Sequence, residues 1–98
     1  MPKIDLELES IYELEEPKKY KVVLHNDDYT TMDFVIFVLT TIFHKTSSEA
    51  TQVMVEVHEK GKGVCGVFTR EIGKAKVNQV AKAAKQNGFP LLATLEAE

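Results

Sequence analysis

The sequence predicts one small α+β domain, with three helices packed on a three-stranded, mainly antiparallel sheet in the order β-α-α-β-α-β. Three observations support this. Ninety-eight residues hold one hydrophobic core and leave no room for a second. A composition of 44% apolar and 28% charged residues suits a chain that folds without disulfides or metals. From Lys18 onward, β-branched runs and stripes of helical period follow one another in that order.

Tyr20-Lys21-Val22-Val23-Leu24-His25 is β-branched and aromatic, stops at Asn26-Asp27-Asp28, and is the first strand. Thr30 or Thr31 caps the next helix, in which Met32, Val35, Leu39, Ile42 and Phe43 follow helical spacing. Phe34, Ile36, Phe37 and Val38 fill its other side, which predicts a deeply buried helix. Thr46-Ser47-Ser48-Glu49 forms a capping box, Ala50, Val53, Met54 and Val57 make a clean apolar stripe, and Gly61 is the left-handed stop. Gly63 to Thr69 is the second strand. Arg70 to about Lys85 is the third helix, with Ile72, Val77, Val80, Ala81 and Ala84 inward and lysines outward, ending at Asn87-Gly88. Phe89 to Leu95 is the last strand, with Pro90 near its start, where a missing amide is tolerated.

The net charge of −3 conceals an asymmetry. Through Pro17 there are six acids and one base, giving −5; the remainder has nine acids and eleven bases, giving +2. Residues 1–17 are therefore read as a flexible acidic extension and 18–98 as the core domain. The single cysteine, Cys65, excludes an internal disulfide and a multi-cysteine zinc site. No secretory leader and no membrane-length apolar run is visible, so a cytoplasmic protein is expected. Arg70, Lys74, Lys76, Lys82 and Lys85 form a basic helix face, but the acidic total argues against nucleic acid as partner.

The chemistry concentrates where His25-Asn26-Asp27-Asp28 meets the first helix. Asn26 offers a carbonyl acceptor, and the two aspartates are acceptors only when ionised. Such a group suits four tasks: capping helix amides, holding a hard metal ion, acid–base catalysis, or binding an organic ammonium. Asx residues between a strand and a helix are commonly cap and turn formers. Calcium needs about six to eight oxygens, more than this turn supplies, and His25, His44 and His58 lack zinc-ligand spacing. Adjacent aspartates on a turn diverge, which disfavours a paired acid and base, here Asp27 and Asp28 with His58. An α-ammonium has three donors and needs three acceptors beside an apolar hollow. His58, next to Met54 and Val57 at the end of the second helix, is the candidate third acceptor, although such a histidine is more often a plain helix-end residue. On spacing alone the cap and turn role ranks first, and ammonium binding stays a minority reading.

The run Tyr20-Lys21-Val22-Val23-Leu24-His25-Asn26-Asp27-Asp28-Tyr29-Thr30-Thr31-Met32-Asp33-Phe34-Val35 closely resembles the signature of the ClpS adaptor family. The likeness continues through Ala50-Thr51-Gln52-Val53-Met54, Val57-His58, Gly61-Lys62-Gly63, Cys65-Gly66-Val67-Phe68-Thr69 and Pro90-Leu91-Leu92, covering roughly residues 18 to 96 in order. Members of that family deliver N-end-rule substrates to a bacterial AAA+ unfoldase-protease, the ClpA-type unfoldase with ClpP. The resemblance implies that Asn26, Asp28 and His58 accept hydrogen bonds from a free α-amino group, with Asp27 shaping the same acidic turn. It implies that Thr30, Met32, Val35, Met54, Val57 and Leu91 line the pocket for the first side chain, Phe, Tyr, Trp or Leu. Met32 matches the gatekeeper against β-branched residues. Glu71 and Lys76 match positions that dock on the unfoldase's N-terminal domain, and the stretch before Pro17 matches the extension that the unfoldase engages.

A monomer without cofactor, catalysis or membrane contact is implied. Two departures stand out: Thr31 replaces a proline found in many members, which loosens the turn, and Phe37 replaces a polar residue on the outer side of its helix. Two rival readings are a small enzyme using Asp27, Asp28 and His58, and an interaction domain of the same fold with no working pocket.

Overall fold

A computed structural model of the chain describes residues 18–98 as β1 (Lys19–His25), α1 (Met32–Thr41), α2 (Ser47–Lys60), β2 (Lys62–Thr69), α3 (Arg70–Asn87) and β3 (Leu92–Ala97). The proposed acidic extension, residues 1–17, lies outside the described residues. Both strand pairings are antiparallel and the sheet order is β2-β1-β3, so β1 is the central strand. Val22 and Leu24 point from it into the core shared with Phe34, Val38 and Leu39 of α1, Ala50 and Val57 of α2, and Val80 and Ala84 of α3.

The caps follow the sequence closely. Thr31 accepts from the Phe34 amide at 3.1 Å. Thr46 and Glu49 form the reciprocal box, with the Glu49 amide donating to Thr46 Oγ1 and the Thr46 amide to Glu49 Oε1. Those bonds hold the exposed Glu49 carboxyl below its ordinary pKa. Gly61 and Gly88 end α2 and α3 with φ of 86° and 76°, a conformation that costs a glycine little.

Four expectations need correction. The last strand begins at Leu92, three residues later than Phe89, because the Phe89 amide is taken by Ala84 O at the end of α3 and Pro90 has no amide to give. The Phe89 ring instead packs on Phe34, with centroids 4.7 Å apart, and Leu91 is buried. Helix α1 is buried along one stripe only: Phe37 is half-exposed and stacks on Phe34 along the helix. On α3 the inward stripe includes Gly73 rather than Ile72 or Ala81, which are exposed. Finally, Thr31 does not loosen its turn, since it supplies a cap hydroxyl that a proline lacks.

Strand β2 contains one irregularity and one close contact with α2. Val22 pairs with Gly66 and Val23 with Val64, so Cys65 is an extra residue turned into the core. At Gly63, a Cβ would lie 2.9 Å from Val57 Cγ2 and 3.3 Å from the Val53 carbonyl oxygen. Helix α2 therefore lies as close to β2 as a glycine permits. Gly63→Ala is expected to lower unfolding free energy by about 1–3 kcal/mol in urea titrations, the usual cost of overpacking a tight contact.

Candidate functional site

The site is assembled by strand register. His25, the last residue of β1, pairs with Lys62 at the start of β2 and with Leu92 at the start of β3. One residue earlier than Lys62 is Gly61, the cap of α2, and its carbonyl accepts from the Asn26 amide at 2.9 Å. The turn that leaves β1 is thus bonded to the chain end of α2, whose last turn carries His58.

Within the turn, the two aspartates do different things. Asp27 Oδ1 accepts from the amides of Tyr29 (2.8 Å) and Thr30 (2.7 Å), and Oδ2 from the Thr30 hydroxyl (2.7 Å). Partial burial pushes its pKa upward. The hydrogen bonds from the Thr30 hydroxyl, the Thr30 amide and the Tyr29 amide outweigh that and hold it below the ordinary carboxylate value. Asp27 is the internal brace of the turn. Asn26, Asp28 and His58 are exposed, and their side chains make no hydrogen bond or ion pair among the described residues.

These groups rim one cavity of about 280 Å³, lined by Asn26, Asp27, Asp28, Thr30, Met32, Val35, Met54, Val57 and His58. Acceptors from the turn and from His58 stand over an apolar floor contributed by α1 and α2. The volume lies just under the roughly 300–1,000 Å³ of drug-sized ligand sites, enough for one side chain and an ammonium group. Two larger and more open hollows lie elsewhere: one beside Phe37, Ile42, Lys76 and Lys82, the other beside Lys18, Tyr20 and Glu71.

All nine lining residues were named from the sequence. Leu91 was also named for the pocket but does not line it; it is buried in the core. Glu71 is exposed in the first turn of α3, and the Lys76 ammonium donates to Ile42 O at 2.7 Å. Sequence reasoning missed the support: the Asn26–Gly61 bond depends on strand register and the Gly63 contact on how closely α2 packs against β2, and no local signal reveals either. Among the described residues, no three His, Cys, Asp or Glu side chains are placed to hold a metal ion, and no helix is long and apolar enough to cross a membrane.

Together, fold and cavity define a small α+β module with a charged-rim, apolar-floor pocket between two helix ends. Comparison with known proteins makes this specific. Residues 15–94 match the family model described as ATP-dependent Clp protease adaptor protein ClpS. An ATP-dependent Clp protease adapter protein ClpS from Acetivibrio thermocellus is 52% identical over 90 residues, covering 92% of this chain and 91% of the relative. The namesake from Nitratidesulfovibrio vulgaris is 50% identical over 92 residues, covering 94% and 92%. A solved structure of Agrobacterium tumefaciens ClpS2 bound to L-phenylalaninamide superposes with a TM-score of 0.82 at 40% identity, covering 85% of this chain and all of that one. The chain belongs to the ClpS family.

The brace can be tested separately from the rim. Asp27→Ala is expected to destabilise the fold by about 1 kcal/mol, as for a lost side-chain cap, and Asp27→Asn by less, since an amide oxygen still accepts both backbone bonds. Because the folded-state pKa is depressed, the carboxylate's contribution is complete above about pH 5 and fades as pH falls through the folded value. The stability gap between the wild type and Asp27→Asn, read by urea unfolding, should narrow from pH 7 towards pH 3.

Proposed function

We propose that the chain is a protease adaptor that captures proteins by a free α-amino group and a bulky apolar first side chain, and hands them to a Clp AAA+ unfoldase-protease. The observation that carries this reading is the single cavity in which unengaged acceptors of Asn26, Asp28 and His58 stand beside apolar Val35, Met54 and Val57, with the more exposed Met32 at the edge. An α-ammonium finds three acceptors at the rim, and a Phe, Tyr, Trp or Leu side chain enters below. The family's Agrobacterium member supports the chemistry, because phenylalaninamide has a free amine, a phenyl ring and an amide where the rest of a peptide chain would continue.

Each group has a physical task. His58 accepts only as a neutral imidazole. Asp28 contributes the compensating charge, Asn26 a neutral carbonyl, and Asp27 holds the turn that aims both. Met32, at the pocket edge, crowds a branched Cβ and so disfavours Ile and Val. Leu91 supports the floor from the core. Glu71 and Lys76 would meet the N-terminal domain of a ClpA-type unfoldase, and residues 1–17 would be what that unfoldase engages. The reading is of a non-catalytic, cytoplasmic monomer that needs no cofactor, nucleic acid or membrane.

Titration with a Phe-initiated peptide, its N-acetylated twin and a Val-initiated analogue is the deciding experiment. Micromolar binding of the first is expected, with about tenfold or greater loss for each of the others, a difference of about 1.4 kcal/mol or more. Equal binding of the acetylated peptide overturns the reading, and a cleaved or modified peptide replaces it with an enzyme. His58→Ala should weaken binding of the Phe-initiated peptide about tenfold, the loss of one acceptor to a charged group. Unchanged affinity removes His58 from the acceptor set.

A further inference from the structure

Three sulfur atoms belong to described residues: Met32, Met54 and Cys65. They differ in how an oxidant meets them. Cys65 is 2% exposed in the core, and burial pushes its thiol up to about 12, so almost no thiolate exists at neutral pH. Met54 is partly buried in α2. Met32, the first residue of α1, is 49% exposed and lines the cavity. The most exposed of the three sulfur-bearing residues thus lines the cavity that an apolar side chain would enter.

We infer that Met32 is an oxidation site that controls the pocket: a peroxide-class oxidant converts its thioether to the sulfoxide and thereby weakens capture of apolar first residues. This rests on the reading of the cavity as a pocket for such residues. The step balances. The sulfur lone pair takes one oxygen atom from hydrogen peroxide, the O–O bond breaks as the S–O bond forms, sulfur loses two electrons, and the peroxide leaves as water. The product is polar and carries a strong acceptor oxygen. Facing the apolar floor, that oxygen has no donor; turned to water, it draws the side chain off the wall. Either way the contact with the bound side chain is lost. The change is reversible by methionine sulfoxide reductases, which makes it a switch rather than damage.

The test uses the full chain treated with graded hydrogen peroxide, with peptide mass mapping of each methionine and of Cys65. Affinity for a Phe-initiated peptide is measured before treatment, after it, and after incubation with methionine sulfoxide reductase. Expected are a 16 Da gain at Met32 ahead of Met54, an affinity loss of about tenfold in step with that gain, and recovery on reduction, with an unchanged circular dichroism spectrum. Met32→Leu, compared with its own untreated affinity, should show no such loss. The inference is overturned if Met54 or Cys65 oxidises first, if Met32 sulfoxide forms with affinity unchanged, or if Met32→Leu loses affinity equally on treatment. An untreated protein that does not discriminate free from acetylated amines sinks the pocket itself. One that discriminates but ignores peroxide sinks only the switch.

Discussion

The hydrogen bond from the Asn26 amide to the Gly61 carbonyl is the constraint on which the site depends. It ties the exit of the central strand to the cap of α2, elements separated in sequence by a whole helical hairpin. Its position is not free to vary, because β1 is held on both sides, with His25 opposite Lys62 and Leu92. Gly61 makes the link possible by adopting φ of 86°, so α2 turns into β2 with a single residue between them. A residue with a Cβ would strain that reversal by roughly 1–2 kcal/mol. Register, cap and turn are therefore one device, and the cavity is its by-product.

Within that frame, the electrostatics favour a cation. The last turn of α2 leaves carbonyls with no helical partner at the same end as His58, a partial negative charge of roughly half an electron. The start of α1 has the opposite sign, which favours the carboxylates of Asp27 and Asp28 just before it. The two helix ends thus stabilise an acidic rim and whatever positive group it accepts. Asp27 is spent on the turn, and its depressed pKa records those bonds. Asp28 is left exposed and unengaged among the described residues. Of two adjacent aspartates, one braces the turn and the other lines the cavity with its carboxylate unengaged.

Much of this was legible in the sequence because the signals were local. The Thr46–Glu49 box, the Gly61 and Gly88 stops and the α2 stripe are each set by a few neighbouring side chains, and the structure has them all. The nine lining residues were named because they fall in two short runs and their family pattern. What was illegible depends on partners far along the chain. Phe37 fits a buried stripe by count, yet the core is already filled by Phe34, Val38 and Leu39, and it turns outward. Gly73 lacks the side chain that marks a core position, yet it is where α3 comes so near that a Cβ would sit 2.5 Å from Leu95 Cδ1. Phe89 looks like a strand residue until the helix cap claims its amide.

Helix α1 connects the pocket to the far side of the molecule, and it is secured at both ends by residues outside it. Its start is fixed by Thr31 and by the turn that Asp27 braces. Its end has no basic residue in its own last turn, and the Lys76 ammonium from α3 reaches the Ile42 carbonyl instead, 6.0 Å from the Phe43 ring. That bond supplies the cationic partner a helix C-terminus favours. Lys76 is thus a strut as well as a surface charge, while Glu71, exposed in the first turn of α3, places a carboxylate at that helix's positive end. A substitution at Lys76 removes a contact to the end of the helix that walls the pocket. Helix α3 also packs on all three strands, so Lys76 is one of several links between it and the walls of the pocket.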